Sequence, residues 1–503
     1  MSHSGKTDTV TIPRWLFGDQ LGPHFLDNDK QPVLLIESTK VLGSKRWHRA
    51  KAHVVLSAIR HRAAELGPRA TVIRATTYSQ ALERFGHEVE VVHPTSHAAL
   101  DFVTDATAVR AVLPARGYVA SEAHFRSWAD SRGQKRLLLE DFYRRQRRDT
   151  GLLMDADGPT GGRWNFDAEN RQSPPRGVAR LPVEPPWWPV EDEIDNGVRA
   201  DLDTWQSDGS VDLIGHDGPR RFAVTRSEAL TALRHFVTHR LADFGRYEDA
   251  MLANDPWMAH SLLSVPLNLG LLHPLECAEA AETAFRHGLV PIAAAEGFIR
   301  QIIGWRDYVW HIYWSQPRDY RSRNALDAHE PLPQWFAELD ADAVTAACLH
   351  GVLSDLGNHG WLAHIPRLMV LGNWALQHGY NPQELTDWFH RSFVDGFDHV
   401  MVPNVVGMSQ HSDNGVMATK PYVAGGSYIN RMSDYCGGCR YSPTVRVGAK
   451  ACPFTAGYWA FMDRHEDLMR SNPRTAQAAA GLRRLSDREA MLAQEQERGN
   501  SAP

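Results

Sequence analysis

The chain has 503 residues and a mass of 56.4 kDa, enough for two large domains or about three average ones. Hydrophobic residues make up 43% and charged residues 23%, which is typical of a globular protein with a substantial core. The net charge of −6, from 54 basic and 60 acidic residues, excludes a globally basic nucleic-acid coat. Any nucleic-acid surface must therefore be a local patch.

The cysteine count and the hydropathy indicate where the protein works. Five cysteines in this length argue against a disulfide framework and favour a reducing cytoplasm. The polar stretch Met1–Lys6 has no apolar segment behind it, so we expect no signal peptide. No run of about 18 apolar residues occurs, so we expect no membrane span. The sequence thus predicts a cytoplasmic protein.

Residues 1–135 are predicted to form an α/β domain around a doubly wound parallel sheet. Short continuous apolar runs alternate with helical patterns, as is typical of strands buried on both faces. Helices are predicted from Val54 to Leu66 and from Ser79 to Phe85. The predicted strands are Trp15–Phe17, Val33–Ile36, Thr71–Ile73 and Val89–Val92.

Polar residues follow the first two predicted strands. Gly18-Asp19-Gln20 comes after the first strand and Glu37-Ser38 after the second. Ligands of parallel sheets bind beyond the carboxyl ends of the strands, so a ligand is expected at this edge. No G-x-G-x-x-G pattern follows the first strand, which gives no support to a dinucleotide site here.

Residues 136–220 differ in composition and are predicted to form a long connector with little regular structure. The stretches Gly158–Gly162 and Pro185–Pro189 are rich in glycine and proline, which interrupt helices and strands. The basic run Arg144–Arg148 precedes them. Two interpretations of this run stay open: a patch that binds phosphates, or the solvated face of a helix.

Residues 221–485 show helical patterns almost throughout and are predicted to form a large all-α domain. Glu228 follows Thr225 by three residues, a capping-box pattern that predicts the start of a helix. Apolar residues recur at helical spacing between residues 298 and 310. Residues 486–503 are polar and are predicted to be a flexible tail.

Four of the five cysteines form a pattern that is typical of a metal site. Cys436-Gly-Gly-Cys439 is a tight turn that directs two sulfurs to one point, and Cys452 and the distant Cys348 offer two more. Thiolates are soft ligands that suit zinc or an iron–sulfur cluster, and the spacing does not decide between them. Ordinary buried thiols are the alternative. Cys277 lies in a plain helical pattern and is predicted to pack in the core.

Longer motifs give the sequence a resemblance to a known family. The chain resembles the bacterial cryptochromes and photolyases that carry an iron–sulfur cluster, from about Trp15 to Trp459. That family implies an α/β antenna domain followed by a helical domain with FAD and a [4Fe–4S] cluster. The motifs that carry the resemblance are Gly18-Asp19-Gln20-Leu21, Gly161–Asp167, His260–Ser264, Glu296–Arg306 and Asn430–Cys436.

The resemblance implies roles for individual residues. By motif match, Ser261–Ser264 would contact the FAD phosphates, and His364 would be the catalytic acid on the (6-4) lesion. Trp388 would relay electrons to the flavin. The further FAD contacts would be Gln301, Arg306, Arg367, Asp395 and Met401, and the cluster ligands would be Cys348, Cys436, Cys439 and Cys452.

The sequence also departs from the family pattern. Relatives have two adjacent histidines where this chain has Ala363-His364, and a carboxylate or amide where it has Met401. Val265-Pro266-Leu267 replaces aromatic residues on the substrate side. The stretch Val91–His97 lacks the residues expected to hold a 6,7-dimethyl-8-ribityllumazine antenna, which is therefore weakly supported.

The first hypothesis is an FAD-dependent enzyme that uses blue light to repair (6-4) photoproducts in UV-damaged DNA by electron transfer from reduced flavin, acting as a monomer. Flipping the lesion out of the duplex would need local positive charge. The alternatives are a cryptochrome-like photoreceptor without repair, and an FAD and iron–sulfur scaffold recruited for small-molecule chemistry. Fold similarity alone does not choose among them.

Overall fold

The computed structural model of the protein describes residues 11–503. The polar stretch Met1–Lys6, for which no signal peptide is expected, lies outside the described residues. A parallel sheet with its helices comes first in the chain, and a large helical domain follows. Over the described residues, no helix combines the length and apolar character needed to cross a membrane.

Five parallel strands form the N-terminal sheet, and the four predicted strands are confirmed. Alternate residues of a strand point to opposite faces, so that Leu35 belongs to one apolar core and Leu34 to another. Both faces are therefore buried, as the continuous apolar runs predict. In spatial order the strands are Ala70–Ala75, Val33–Ser38, Arg14–Leu16, Val89–Val92 and Val109–Leu113.

From Arg14–Leu16 the chain adds strands on one side of the sheet first and then returns to add Val89–Val92 on the other side. The boundary between these two strands is the topological switch point. The edge strand Val109–Leu113 was not predicted, because its residues are only half-buried or exposed and its apolar pattern is short. The helices of this domain are Thr39–Leu42, Arg49–Leu66, Tyr78–Phe85, His97–Asp105 and Glu122–Ser131.

The connector is more regular than predicted, and the expectation of little regular structure is wrong for two stretches. Leu139–Thr150 is a helix that buries Phe142 and Tyr143 on one side. Glu193–Ser207 is a helix that begins at a capping box in which the Asp192 side chain accepts backbone N–H groups. Both helices bury an apolar stripe that the nearby prolines and glycines obscured in the sequence.

The C-terminal domain is helical, as predicted, and the capping box of Thr225 and Glu228 is present. Most of its helices are short and packed around two large apolar cores. The helices are Arg226–His239, Leu241–Tyr247, Ser264–Asn268, Pro274–Arg286, Ile292–Ile299, Asp307–Ser315, Gln334–Ala337, Ala347–His359, Asn373–His378, Pro382–Ser392, Asp398–Val402, Gly426–Met432, Pro453–Arg464, Glu466–Ser471, Ala476–Leu482 and Arg488–Arg498.

Three segments of this domain have π-helical geometry: Arg300–Arg306, Pro366–Gly372 and Pro403–Ser409. The first two contain predicted FAD contacts, and the third begins two residues after Met401. π-helical turns are rare and often mark functional sites, because they re-aim side chains at the expense of regular hydrogen bonding. The three segments therefore point to the same region as the motif match.

The last residues of the chain are docked rather than flexible, so this part of the prediction is wrong. The helix Arg488–Arg498 ends at Gly499. The backbone carbonyl of Asn500 accepts a hydrogen bond of 3.0 Å from the indole nitrogen of Trp335. The carbonyl oxygen of Pro503 accepts bonds from the backbone N–H groups of Thr345 and Ala346. These partners lie too far away in sequence to be inferred from composition.

Candidate functional site

A bidentate ion pair joins two of the predicted flavin contacts. Arg367 Nη1 and Nη2 donate to the two carboxylate oxygens of Asp395 at 2.8 and 2.9 Å. The side chains are only 15% and 6% exposed, so the pair is weakly screened by water. Arg367 Nε also donates to the carbonyl of Leu362 at 2.8 Å. The guanidinium is thus fixed in place and presents its plane in one orientation.

The turn that carries Asp395 is held by neighbouring elements. The Asn268 side chain donates to the backbone carbonyl of Asp395 at 3.0 Å. The backbone N–H of Val394 donates to the carbonyl of Gly360 at 2.8 Å. Because both bonds come from separate helices or loops, the carboxylate is preorganised for a ligand.

His364 lies three residues before Arg367, and its side chain is exposed. Desolvation by the surrounding protein, followed by the charges of Arg367 and Arg171, lowers the pKa of His364 to about 4. At pH 7 the ring is therefore neutral, and it needs an added negative neighbour before it holds a second proton that it could donate.

The predicted phosphate-binding stretch divides into two kinds of residue. Leu263 is 1% exposed and Leu262 is 9% exposed, and both side chains belong to the apolar core. Leu262 adopts a left-handed φ of 56°, which turns the chain sharply. Ser261 Oγ accepts a bond from the backbone N–H of Leu263, and Ser264 Oγ accepts one from the Trp361 indole at 3.2 Å. Only Ser261 and Ser264 offer polar side chains.

Basic side chains line a pocket together with Ser261: Arg221, His235 and Arg240. Burial lowers the pKa of His235, and the Arg240 guanidinium donates to the backbone carbonyls of Glu184 and Met258. Arg221 Nε and the Nε2 atom of His260 are buried without a hydrogen-bond partner. Such orphaned groups are costly unless a ligand satisfies them. This donor set fits an anionic group such as the diphosphate of FAD.

Arg306 has a structural role that the motif match did not indicate. Its Nη1 donates to the carbonyl of Gly117 at 2.7 Å and its Nη2 to that of Leu267 at 3.3 Å. The guanidinium also lies 4.5 Å from the ring centre of Tyr118. Arg306 therefore ties the segment after the sheet to the helical domain, while its Nε stays buried and unpartnered. Gln301 lies on the same π-helical segment and is half-buried.

Met401 is 3% exposed and belongs to the same apolar core as Trp388. A thioether neither donates nor accepts a proton at neutral pH. Trp388 is 1% exposed, and its indole nitrogen is buried without a partner. Its ring centre lies 4.6 Å from that of Phe336, which in turn lies 5.6 Å from that of Trp335.

The four predicted metal ligands line one pocket. Cys348 lies in the first turn of Ala347–His359, and Cys452 immediately precedes Pro453–Arg464. Cys436 and Cys439 flank the glycine turn. Burial, and then the proximity of the other three thiols, raises the pKa of Cys348. A bound cation would remove this penalty by favouring the thiolates.

A second group of metal-ligating side chains lies elsewhere: His61, Asp192 and Asp195 bring their ligand atoms within 4.8 Å of one another. The Asp192 group is occupied otherwise, since Arg220 pairs with Asp195.

Cys277 is buried on the helix Pro274–Arg286, as predicted. Burial raises the pKa of its thiol far above the usual range. It contributes to an apolar core and not to the cysteine pocket.

Several side chains at the sheet edge of the switch point contact other parts of the chain. The Thr95 hydroxyl donates to Asp19, and Gln20 Nε2 donates to the carbonyl of Val92 at 3.1 Å. The indole of Trp314, from the helical domain, packs edge-on against His93 with 4.5 Å between ring centres. At the second predicted position, Glu37 pairs with Arg60 at 2.8 Å and with Arg74 at 2.9 Å. These residues serve the fold of the edge.

The basic run has two parts. Arg147 is 0% exposed and donates to the backbone carbonyls of Leu152, Leu153 and Trp164, so it is a structural residue. Arg148 is exposed, and its guanidinium lies 4.9 Å from the ring centre of Trp164. Arg144 and Arg145 are exposed as well. Arg147 thus fits neither interpretation, and the exposed Arg144, Arg145 and Arg148 lie on a solvated helix face.

Several site residues carried no signal in the sequence. Arg221, His235 and Arg240 complete the pocket at Ser261, yet they lie scattered over a helical region. Trp335 differs from them, because it is the single tryptophan between Ser315 and Gly360 and could have been found from the sequence. Its ring lies next to that of Phe336, which in turn lies next to that of Trp388.

Comparison with solved structures defines the class of fold. A bacterial class III photolyase from Agrobacterium tumefaciens superposes with a TM-score of 0.53 at 17% identity, covering 84% of this chain and 83% of that chain. The cryptochrome of Synechocystis sp. PCC6803 gives a TM-score of 0.52 at 13% identity, covering 79% and 82%. The protein therefore has the photolyase and cryptochrome architecture that the resemblance implied.

Sequence comparison defines the family. The family model described as deoxyribodipyrimidine photo-lyase-related protein matches residues 14–212. A protein of Agrobacterium fabrum (strain C58 / ATCC 33970) named (6-4) photolyase is 38% identical over 500 residues, or 94% of this chain and 95% of that protein. The chain belongs to this family of photolyase-related proteins.

Proposed function

We propose that the protein is a light-driven DNA photolyase of the (6-4) type that uses FAD. The observation that carries the proposal is the buried Arg367–Asp395 pair beside the accessible ring of His364. Its relative named (6-4) photolyase aligns over nearly the whole chain, which supports the same chemistry here. Bound FAD would supply the electron donor that light excites.

The residues around the cofactor would each do a separate task. Ser261 and Arg221 would bind the diphosphate, since a cationic side chain favours anions. The ion pair of Arg367 and Asp395 would orient the flavin ring and hold a fixed charge against it. Burial of both side chains excludes water and strengthens this effect.

His364 would move a proton on the substrate side. Its neutral ring at pH 7 follows from its lowered pKa. A DNA phosphate near the ring would offset the charges of Arg367 and Arg171 and raise that pKa, so that the ring takes up a proton from solvent. The imidazolium would then donate this proton to the lesion as a general acid and return to neutral imidazole. Substrate binding would thereby be coupled to protonation of the ring.

We also infer that the cysteine pocket holds a [4Fe–4S] cluster. The inference is supported by Cys348, Cys436, Cys439 and Cys452, which line one pocket and match the cysteine motif of the iron–sulfur relatives. Exposed Arg144, Arg145 and Arg148 are candidates for phosphate contacts with damaged DNA. The proposal leaves out a lumazine antenna, because the stretch Val91–His97 lacks the residues expected to hold it.

The experiment uses the anaerobically photoreduced protein and an oligonucleotide with one (6-4) lesion. Restored bases are measured by chromatography in blue light and in darkness. Repair in light alone is expected, with His364→Ala inactive although it still holds FAD. A wild-type protein that holds FAD and restores no bases in light would contradict the proposal.

A photoreceptor without repair is the second candidate, and two residues favour it. Met401 places a buried thioether where relatives carry a carboxylate or amide, and Ala363 replaces a histidine beside His364. Both substitutions remove polar hydrogen-bonding groups from the site. Light-induced flavin reduction together with a change in hydrogen exchange, and with no repair in the oligonucleotide assay, would support this candidate instead.

A further inference from the structure

We infer that Lys51 of the sheet domain is a positioning residue for the Arg367–Asp395 pair. The side chain of Lys51 is 6% exposed and reaches into the helical domain. Its Nζ donates to the carbonyl of His390 at 2.5 Å and also to the carbonyl of Gly396. These two carbonyls lie at either end of the turn that carries Asp395. The inference rests on the proposed function, since the pair would contact the flavin.

The turn needs such a donor because it follows the end of a helix. His390 lies in the last turn of Pro382–Ser392, where backbone carbonyls lack partners within the helix. The partial negative charge of a helix C-terminus favours a cation there. A side chain at Gly396 would meet the carbonyl oxygens of Phe389, His390 and Phe393 at 2.8 to 2.9 Å. The ammonium of Lys51 thus binds the carbonyl of His390, one of three carbonyl oxygens that converge beside Gly396.

Two aromatic rings complete the site of the ammonium. Lys51 Nζ lies 4.6 Å from the ring centre of Trp47 and 5.5 Å from that of Phe397. Both contacts are in the range of cation–π attraction, which is strongest when the cation is shielded from water. Trp47 lies just before the helix of Lys51, and Phe397 just after the turn. The amine is therefore held from both domains.

Electrostatics links Lys51 to Asp395 directly. Burial lowers the pKa of Lys51 to about 7, while the charge of Asp395 acts in the opposite direction and raises it. The charges of the two side chains therefore attract each other in an interior where water screens them weakly. Removing the amine would free the turn and also remove a positive neighbour of the carboxylate.

The matched control is Lys45, which crosses the same domain boundary. Its Nζ pairs with Asp387 at 2.7 Å on the helix Pro382–Ser392, but it does not contact the turn. Lys51→Met keeps the length of the apolar stem and removes the donor. Lys51→Arg keeps a charged donor and tests for rescue. Lys51→Gln serves as a second variant that retains a polar group if the methionine variant fails to fold.

The first measurement is hydrogen exchange of the protein without FAD. Lys51→Met is expected to raise exchange about tenfold in peptides that contain Val394 and Gly396, in line with the loss of about one hydrogen bond. Lys45→Met should leave these peptides unchanged, and Lys51→Arg should restore them. The inference would be overturned if Lys51→Met exchanged at the wild-type rate in the turn, or if it lost protection equally throughout the helical domain.

The second measurement is the midpoint potential of bound FAD. At pH 6, where an amine with a pKa of about 7 is mostly protonated, Lys51→Met is expected to lower it relative to wild type and Lys45→Met, because a positive charge near the reduced flavin is lost. An unchanged potential in a protein with full FAD content would overturn the inference. A wild-type protein that binds no FAD would instead contradict the proposed function, and the exchange experiment would still test Lys51.

Discussion

The indole ring of Trp388 lies one phenyl ring away from that of Trp335. Phe336 separates them, with 4.6 Å to Trp388 and 5.6 Å to Trp335 between ring centres. Trp388 is 1% exposed and Trp335 is half-buried, so the three rings lead from the core toward the surface. At the inner end, Phe393 lies 6.1 Å from Trp388 and 4.3 Å from the guanidinium of Arg367.

This arrangement predicts that Trp335 is the outer member of an electron relay. Trp335→Phe should lose most of the flavin photoreduction under blue light, because a phenyl ring is much harder to oxidise than an indole. Repair by chemically reduced protein should be unaffected. Photoreduction is followed by flavin absorbance with an external reductant. Trp205→Phe is the control, since Trp205 packs in a separate apolar cluster. Equal photoreduction rates in all three proteins would exclude this role.

The cysteine pocket predicts a cluster with four iron and four sulfide per chain. Cys348→Ser should lose this metal content, because one of four ligands becomes a poor donor for iron. Cys277→Ser should keep it, since Cys277 packs in a different core. Iron, zinc and acid-labile sulfide are measured on anaerobically purified proteins. One zinc per chain in the wild type, without sulfide, would contradict the prediction.

Local patterns in the sequence predicted the parts of the fold that depend on local physics. Val33–Ile36 was predictable as a buried strand because both of its faces are apolar. Thr225 and Glu228 predicted the start of a helix because the capping box lies within four consecutive residues. The Gly-Gly turn between Cys436 and Cys439 likewise indicated that the two side chains face one pocket. Cys348 carried no such signal and was assigned only by motif match.

Long-range partners explain what the sequence did not reveal. Lys51 contacts carbonyls at residues 390 and 396, and nothing near Lys51 in the sequence marks it as buried. The tail was predicted to be flexible from its polar composition, yet Asn500 and Pro503 dock through backbone carbonyls, which composition does not report. Trp314 contacts the sheet edge from more than two hundred residues away. These contacts belong to the tertiary fold.

The buried ion pair predicts a large asymmetry between single and double variants. Asp395→Leu should lower the free energy of unfolding by roughly 3–5 kcal/mol, because it leaves the Arg367 charge buried and unpaired. Adding Arg367→Met should recover much of this loss. Urea unfolding of the protein without FAD measures both. In the exposed pair of Arg318 and Asp101, at 55% and 59% exposure, Asp101→Leu should cost less than about 1 kcal/mol.

That comparison also shows how the prediction could fail. If Asp395→Leu is no more destabilising than Asp101→Leu, the Arg367 guanidinium is solvated in solution. The pair would then not be a rigid element of the site. If the double variant is as unstable as the single one, shape at the site matters more than charge.

His364 predicts a pH dependence with a definite sign. Its folded-state pKa is lowered to about 4 from the usual value of 6.5. As the pH falls through this window, the unfolded chain takes up the proton before the folded protein does, so His364 reduces stability between pH 6.5 and 4 and has no such effect above it. His364→Gln should therefore gain stability relative to wild type across this window. Urea unfolding at a series of pH values measures it, and a constant difference at every pH would refute it.

Met401 predicts a cofactor-dependent effect of polarity. Met401→Gln buries an amide at a position that is 3% exposed, which should destabilise the protein without FAD by roughly 1–3 kcal/mol. If position 401 faces the flavin, the amide finds a hydrogen-bond partner on the ring, and the loaded variant should regain most of this stability. Val402→Gln is the matched control, because Val402 is 2% exposed and packs against Tyr313, Tyr320 and Val406. Its loss should be the same with and without FAD. Thermal unfolding of both variants is measured with and without FAD. If Met401→Gln loses as much stability with FAD as without it, as is expected of Val402→Gln, then Met401 points away from the cofactor.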